Sequence, residues 1–126
     1  MSEFVPVTLD VDMATIRAYA DLTDDFNPIH LDPEFAARTP MGGIIAHGTM
    51  SMCLLYQMLE RNLGPEATAA LDLDVRFLRP VREGETLTAG GGARAGASGE
   101  FDVWVRGPDG TERLAGTARV GEEAAS

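Results

Sequence analysis

The segment from residue 47 to residue 63 constrains the fold more than any other part of this 126-residue chain. Its composition predicts a helix without a polar face, and a helix that is apolar all round is buried. The apolar residues are Met50, Met52, Cys53, Leu54, Leu55, Tyr56, Met58 and Leu59. Gly64 and Pro65 indicate the end of this helix, because glycine suits the C-cap and proline follows it. Such a helix requires a surface that encloses it.

The second half of the chain is predicted to supply that surface as strands. Apolar and polar residues alternate over 71–77 and 101–106, which predicts two strands with one buried face each. Residues 86–95 predict a weaker strand, in which Gly90 to Gly92 indicate a bulge or a sharp bend. A turn at 107–110 and a last strand ending at Val120 complete the predicted sheet.

The first 40 residues predict one edge strand and two helices. Residues 4–11 alternate in polarity, and Pro6 removes a hydrogen-bond donor, which is typical of an edge strand. Asp12 is a candidate N-cap for a helix that reaches about Thr23. Asp32 followed by proline predicts the start of a short helix that ends at Arg38.

These elements together predict an α+β domain. We expect a long buried central helix wrapped by a curved antiparallel sheet of about five strands. The length suits a single domain over residues 1–126, with a frayed tail at 122–126. An exposed sheet edge and an incompletely covered core favour a homodimer or a higher homo-oligomer over a monomer.

Composition excludes several classes of partner. The net charge of −10 argues against binding to nucleic acid or to anionic membranes, because phosphate groups select basic surfaces. No apolar run is long enough to span a bilayer, and we expect no signal peptide at the N-terminus. Cys53, the single cysteine, cannot form an internal disulfide, so we expect a reducing, cytoplasmic location.

Both histidines lie in one short window, which also contains the candidate catalytic groups. Asp25 and His30 are five residues apart in a loop broken by proline, and they form a candidate proton-transfer pair. Gly48 opens the long helix, where glycine permits close approach and the helix N-terminus favours negative charge. The competing interpretation is a structural turn with a satisfied histidine and a simple helix-opening glycine.

Three blocks of sequence carry a recognisable pattern. The first is Asp25-Phe26-Asn27-Pro28-Ile29-His30-Leu31-Asp32, the second is Ile45-Ala46-His47-Gly48, and the third comprises Val75-Arg76-Phe77, Pro80-Val81 and Gly84-Glu85. Together they resemble the MaoC-like hydratase family of hot-dog folds, and the resemblance covers nearly the whole chain. The resemblance implies a hydro-lyase that reversibly adds water, in syn fashion, to trans-2-enoyl thioesters to give (R)-3-hydroxyacyl thioesters. It implies a CoA or carrier-protein thioester as substrate and no cofactor.

The resemblance also implies roles for individual residues. Asp25 and His30 are expected to hold one water, and the backbone N–H of Gly48 is expected to face the enolate oxygen. Which of the two side chains acts as the base stays open. Asn27 is either a loop scaffold or a site residue, and His47 is interpreted as a helix-start or packing residue. Tyr56 stands where some hydratases of the family carry a serine, so it is expected to replace that hydroxyl or to fill the acyl pocket.

Two other functions stay open at this point. A hot-dog acyl thioesterase would place a carboxylate on or near the long helix, but residues 51–59 contain none. A non-catalytic acyl-binding partner subunit would not require an intact Asp25 and His30. Two histidines with one nearby carboxylate are a weak case for a metal, so no metal site is expected. Arg76, Arg79 and Arg82 either meet the phosphates of a carrier arm or form a solvated strand face.

Overall fold

A five-stranded antiparallel sheet and a 16-residue helix dominate the computed structural model, which describes residues 3–96 and 98–120. The strands are β1 (Val7–Asp10), β2 (Leu71–Phe77), β3 (Thr86–Ala93), β4 (Glu100–Arg106) and β5 (Glu112–Val120). The helices are α1 (Met13–Thr23), α2 (Pro28–Leu31), α3 (Pro33–Ala37), α4 (Gly48–Leu63) and α5 (Pro65–Thr68). The α+β class is confirmed, and the tail expected at 122–126 lies outside the described residues.

The sheet has the strand order β1-β3-β4-β5-β2, and every neighbouring pair is antiparallel. The prediction that the first strand lies at an edge is confirmed, although the regular strand begins only at Val7. Phe4 still donates to the Gly91 carbonyl oxygen at 2.8 Å, and Pro6 lies between this contact and the strand. Both sheet edges, β1 and β2, are therefore formed by strands that pair on one side.

Helix α4 packs one face against the sheet and leaves the other face exposed. Its inward residues are 3% exposed or less: Met50, Ser51, Leu54, Leu55, Met58 and Leu59. The apolar ones among them join one core with Leu87, Val103, Val105 and Leu114 of the sheet. The prediction of burial all round is wrong, because the sheet encloses one side only; Thr49, Cys53, Tyr56, Gln57 and Glu60 are exposed.

Within the described ranges, no helix is long and apolar enough to cross a membrane.

The capping residues act as the sequence predicts. Asp12 accepts a hydrogen bond from the Thr15 amide at 2.8 Å, which starts α1. Asp32 accepts from the amides of Glu34 and Phe35, and Pro33 occupies the first position of α3. Because the same combination of an Asx residue and a proline occurs at Asn27 and Pro28, the chain also forms the short helix α2, which the sequence analysis did not predict.

The glycines of β3 do not interrupt the sheet. Thr88 to Ala93 pair with β4 in continuous register, so the predicted bulge is absent there; the register shift lies instead between Val105 and Arg106. Gly91 and Gly116 lie in one row that crosses β3, β4, β5 and β2. A Cβ atom at Gly91 would clash with the Asp102 carbonyl oxygen, and a Cβ atom at Gly116 would clash with the Asp74 carbonyl oxygen. Glycine is therefore required by the close approach of neighbouring strands.

Replacing Gly116 by alanine is expected to lower the free energy of unfolding by about 2 kcal/mol, because the added methyl group forces β2 and β5 apart. The matched control is Gly43→Ala, since a Cβ atom at Gly43 meets nothing within 4 Å. Urea unfolding followed by circular dichroism measures both variants. Equal unfolding midpoints for the two variants would contradict the steric explanation.

Candidate active site

Asp25 is held at the end of α1 by the backbone. The preceding residue, Asp24, adopts a left-handed conformation with φ of 55°, which ends the helix. The Asp25 amide donates to the Ala20 carbonyl oxygen at 3.1 Å, and the Asp25 carboxylate accepts from the Asn27 amide at 3.2 Å. These contacts place the exposed carboxylate next to the start of α2.

Asn27 and α2 position His30. The side-chain oxygen of Asn27 accepts from the Ile29 amide at 3.1 Å, so Asn27 caps the short helix that carries the histidine. Nδ1 of His30 lies 2.7 Å from the Ile45 carbonyl oxygen. A carbonyl oxygen can only accept a hydrogen bond, so Nδ1 carries a proton, and in the neutral ring the lone pair lies on Nε2. His30 is thus oriented with a basic nitrogen available to a ligand.

His47 packs between His30 and Tyr19. Its ring stacks on the His30 ring with centroids 3.9 Å apart and planes inclined by 25°. Tyr19 meets the His47 ring edge-on at 5.1 Å. Nε2 of His47 lies 2.9 Å from the backbone carbonyl oxygen of Asp25, so this nitrogen carries a proton and donates. The ring therefore contacts both His30 and the backbone of Asp25.

The carboxylate and the two imidazoles converge closely. One oxygen of Asp25 and one ring nitrogen each of His30 and His47 lie within 4.8 Å of one another. Two acceptors that share a water at ordinary hydrogen-bond lengths lie roughly 4.5 Å apart. Asp25 and a ring nitrogen of His30 therefore have a spacing compatible with holding one water between them.

The same three residues could be considered as metal ligands. However, the rings of His30 and His47 lie face to face. The lone pair of an imidazole nitrogen lies in the ring plane, so two stacked rings direct their lone pairs along nearly parallel planes. Coordination of one ion by both histidines would require one ring to turn out of the stack.

An open, largely apolar groove of about 350 Å³ borders this cluster. Gly48, the first residue of α4, lies at its edge, and Phe77 faces the same position, because a Cβ atom at Gly48 would lie 3.7 Å from its ring. The groove is lined by His30, Met41, Ile45, Ala46, Gly48, Ser51, Phe77, Leu78, Arg79, Pro80, Val81 and Arg113. It can accept an apolar chain whose polar end reaches the start of α4.

A buried cation supports one wall of the groove. The Arg113 guanidinium contacts the Glu85 carboxylate at 2.7 Å and the Asp109 carboxylate at 3.3 Å. The hydrogen bond to Glu85 is the main cause that raises the pKa of Arg113, although burial opposes it. The carbonyl oxygen of Arg113 accepts from the amides of Leu78 and Arg79 at 2.8 and 3.3 Å. The residue therefore holds the loop that borders the groove.

Tyr19 is the aromatic residue that closes the other side of the cluster. Its hydroxyl bonds the Thr49 hydroxyl at 2.6 Å and lies 3.6 Å from the sulfur of Cys53. Burial is the main cause that raises the pKa of the Tyr19 phenol. The phenol thus stays protonated at neutral pH and links α1 to the first turn of α4.

The structure brings together most of the residues singled out from the sequence. Asp25, His30, His47 and Gly48 meet, and Asn27 is the cap that supports them. Tyr56 is not part of this group: it is exposed and lines a separate hollow with Val7, Gln57, Glu60, Arg61 and Pro65. Within this chain, Tyr56 therefore does not fill a pocket beside His30, because it lies on the face of α4 that points away from the groove.

The three candidate arginines and three unpredicted residues complete the description. Arg79 lines the groove, whereas Arg82 donates to the Met41 carbonyl oxygen and Arg76 lines another hollow. No motif in the sequence pointed to Ser51, Arg113 or Tyr19 as site residues. Ser51 lies three residues after Gly48, so helical spacing could have placed it on the groove side. The alternation of apolar and polar residues in the predicted strands does not indicate that Arg113 lies at the groove.

The chain is similar to a known protein family and to several known proteins. Residues 3–100 match the MaoC like domain. The chain is 38% identical to an (R)-specific enoyl-CoA hydratase of Aeromonas caviae over 76 residues, 60% of this chain and 57% of that protein. It is 36% identical to a 3-hydroxybutyryl-CoA dehydratase of Methylorubrum extorquens over 78 residues, 62% of this chain and 50% of that protein. The matches thus span about half the length of these relatives.

A comparison of three-dimensional structures agrees on the fold. An R-hydratase from Pseudomonas aeruginosa superposes with a TM-score of 0.81 at 24% identity, covering 95% of this chain and 79% of that chain. The predicted hot-dog architecture, a central helix packed on a five-stranded antiparallel sheet, is confirmed.

Proposed function

Because this chain belongs to the MaoC-like domain family, we propose that it is a hydro-lyase that acts on acyl thioesters. The reaction is the reversible syn hydration of a trans-2-enoyl thioester to the (R)-3-hydroxyacyl thioester. The observation that carries this proposal is the spacing of Asp25 and His30, within 4.8 Å of each other beside the first turn of α4. The thiol carrier is CoA or a carrier protein, and no cofactor is required.

The tautomer of His30 favours it as the base. Its Nε2 lone pair takes a proton from the water while the water oxygen bonds to the β carbon of the enoyl group. Asp25 accepts the second hydrogen bond of the water and orients it. The proton on His30 then passes to the α carbon, so that the elements of water are added to one face. One group that both removes and returns the proton accounts for the syn geometry.

The start of α4 supports the charge that develops during the reaction. As the water adds, the electrons of the double bond move toward the thioester carbonyl, which becomes an enolate oxygen. Gly48 is the first residue of α4, where backbone N–H groups have no partner within the helix and carry partial positive charge. Its exposed backbone next to the groove allows the enolate oxygen to approach the N–H closely.

The alternative functions have weaker support. A hot-dog thioesterase with a carboxylate on the long helix would require an acid near the groove, but Glu60 is the first carboxylate of α4 and lies on its exposed face, beside Tyr56. A non-catalytic acyl-binding subunit would not require a carboxylate and an imidazole placed to share one water. The apolar lining of the groove is compatible with all three functions.

Asp25→Asn and His30→Ala are each expected to lower the hydration rate by about 10²- to 10⁴-fold, because each removes one of the two groups that handle the water. Loss of enoyl absorbance with crotonyl-CoA measures this rate. Asp24→Asn is the matched control: it makes the same change on the neighbouring residue, where asparagine tolerates the left-handed backbone. Wild-type rates in both site variants would refute the proposed mechanism.

Gly48→Ala is expected to leave the free energy of unfolding nearly unchanged and to lower kcat by about 10²-fold. The added methyl group would make only ordinary contact with Phe77, at 3.7 Å, and would occupy space next to the N–H that faces the enolate. Crotonyl-CoA hydration and urea unfolding are measured together. Unchanged kcat in a folded variant would remove Gly48 from the mechanism.

We also propose that the chain forms a homodimer. Phe77 and Leu78, at the end of edge strand β2, are 54% and 50% exposed, and Tyr56 on α4 is 45% exposed. Exposed apolar residues beside an unpaired strand edge favour association with another copy. Light scattering coupled to size exclusion at micromolar concentration is expected to give about twice the 13.4 kDa chain mass. A measured mass equal to that of a single chain under these conditions would contradict the dimer.

A further inference from the structure

His47 occupies the N-cap position of α4 without acting as a cap. Its side chain makes no capping hydrogen bond, although residues at this position commonly accept one from the first turn. The residue is nevertheless 3% exposed. A helix-start role, which the sequence suggested, therefore does not explain where this imidazole lies.

The hydrogen bonds of His47 define its tautomer. Because Nε2 donates to the Asp25 carbonyl oxygen, the lone pair of the neutral ring lies on Nδ1. Nδ1 is buried and has no hydrogen-bond partner among the residues that the structure describes. Of the two ring nitrogens, Nε2 therefore fixes His47 to the backbone, and Nδ1 makes no hydrogen bond to the described residues.

His47 contacts both members of the proposed catalytic pair through different parts of the ring. Its edge holds the backbone of Asp25 at 2.9 Å, and its face lies against the ring of His30 at 3.9 Å. Tyr19 closes the remaining side at 5.1 Å, and the Tyr19 hydroxyl is tied to Thr49 of α4. The imidazole therefore connects the loop after α1 and helix α2 to the start of α4.

We propose that His47 is a positioning residue for the hydration reaction. Its imidazole holds the Asp25 backbone by a hydrogen bond and supports the His30 ring by stacking, so that the two groups keep the separation required to share one water. This role rests on the function proposed above. It differs from that of a second base, because His47 exchanges no proton with the substrate.

Three substitutions separate the two contacts. His47→Phe keeps a flat ring against His30 and removes the donor to Asp25. His47→Gln keeps a donor at the distance of Nε2 and removes the ring. His47→Ala removes both contacts. Ile16→Val, which deletes one buried methylene in α1, is the control for a modest loss of stability alone.

Steady-state kinetics with crotonyl-CoA test the role. His47→Ala is expected to lower kcat by about 10²-fold with KM nearly unchanged, because misplacement of the catalytic pair affects the chemical step more than binding. Each of the other two variants is expected to recover part of the lost kcat. Ile16→Val is expected to keep the wild-type kcat.

Nitrogen-15 spectra of histidine-labelled protein provide a readout that does not depend on activity. The chain has two histidines, so the His47→Phe variant assigns both. The wild type is expected to show a hydrogen-bonded Nε2–H for His47 and a hydrogen-bonded Nδ1–H for His30. A His47 ring that carries its proton on Nδ1 and none on Nε2 would overturn the positioning role.

Different results would overturn the proposed hydration activity and the proposed role of His47. A wild-type protein that hydrates no enoyl thioester, whether crotonyl-CoA, longer chains or carrier-bound acyl groups, would remove the proposed function and this role with it. An active wild type whose folded His47→Ala variant keeps its kcat would overturn the role of His47 alone. A His47→Ala variant with a raised KM and an unchanged kcat would also overturn the role of His47.

Discussion

The hydrogen bond between Nδ1 of His30 and the carbonyl oxygen of Ile45 connects the elements on which the site depends. It orients the imidazole and joins α2 to the extended segment that leads into α4. The same segment is held from the other side, because the Ala46 amide donates to the Val81 carbonyl oxygen at 2.8 Å. With both sides of the segment fixed, His47 and Gly48 follow at defined positions. The site therefore depends on backbone contacts as much as on its own side chains.

The sheet determines where the start of α4 lies and which face of α4 stays exposed. Its strands approach closely at Gly91 and Gly116, and the buried residues of α4 pack on the inner side. Because five strands enclose only one side of a 16-residue helix, Cys53 and Tyr56 remain on the outside. The same arrangement separates Tyr56 from the groove beside His30, although Gly48 and Ser51, which line that groove, lie on the same helix.

Local patterns predicted most of the elements because each depends on neighbouring residues. Asp12 and Asp32 cap helices through amides two or three residues away, and alternation over 71–77 needs only one buried face. The short helix α2 was missed although Asn27 and Pro28 carry the same signal as Asp32 and Pro33. The prediction of a bulge at Gly90 to Gly92 was wrong. Glycine is needed there because the neighbouring strand lies too close for a side chain, and the backbone of β3 itself is regular.

Residue type and spacing made Asp25, His30 and Gly48 candidates, and the resemblance of the surrounding blocks favoured them over a structural turn. A carboxylate, an imidazole and a helix-opening glycine can be recognised as chemical groups without the tertiary structure. The roles of His47, Arg113 and Tyr56 depended on the tertiary structure. A ring that stacks on His30, a guanidinium that is buried against Glu85 and a side chain that points away from the groove are defined by contacts between distant segments. Such contacts depend on how the sheet and α4 pack, and no short stretch of sequence records that packing.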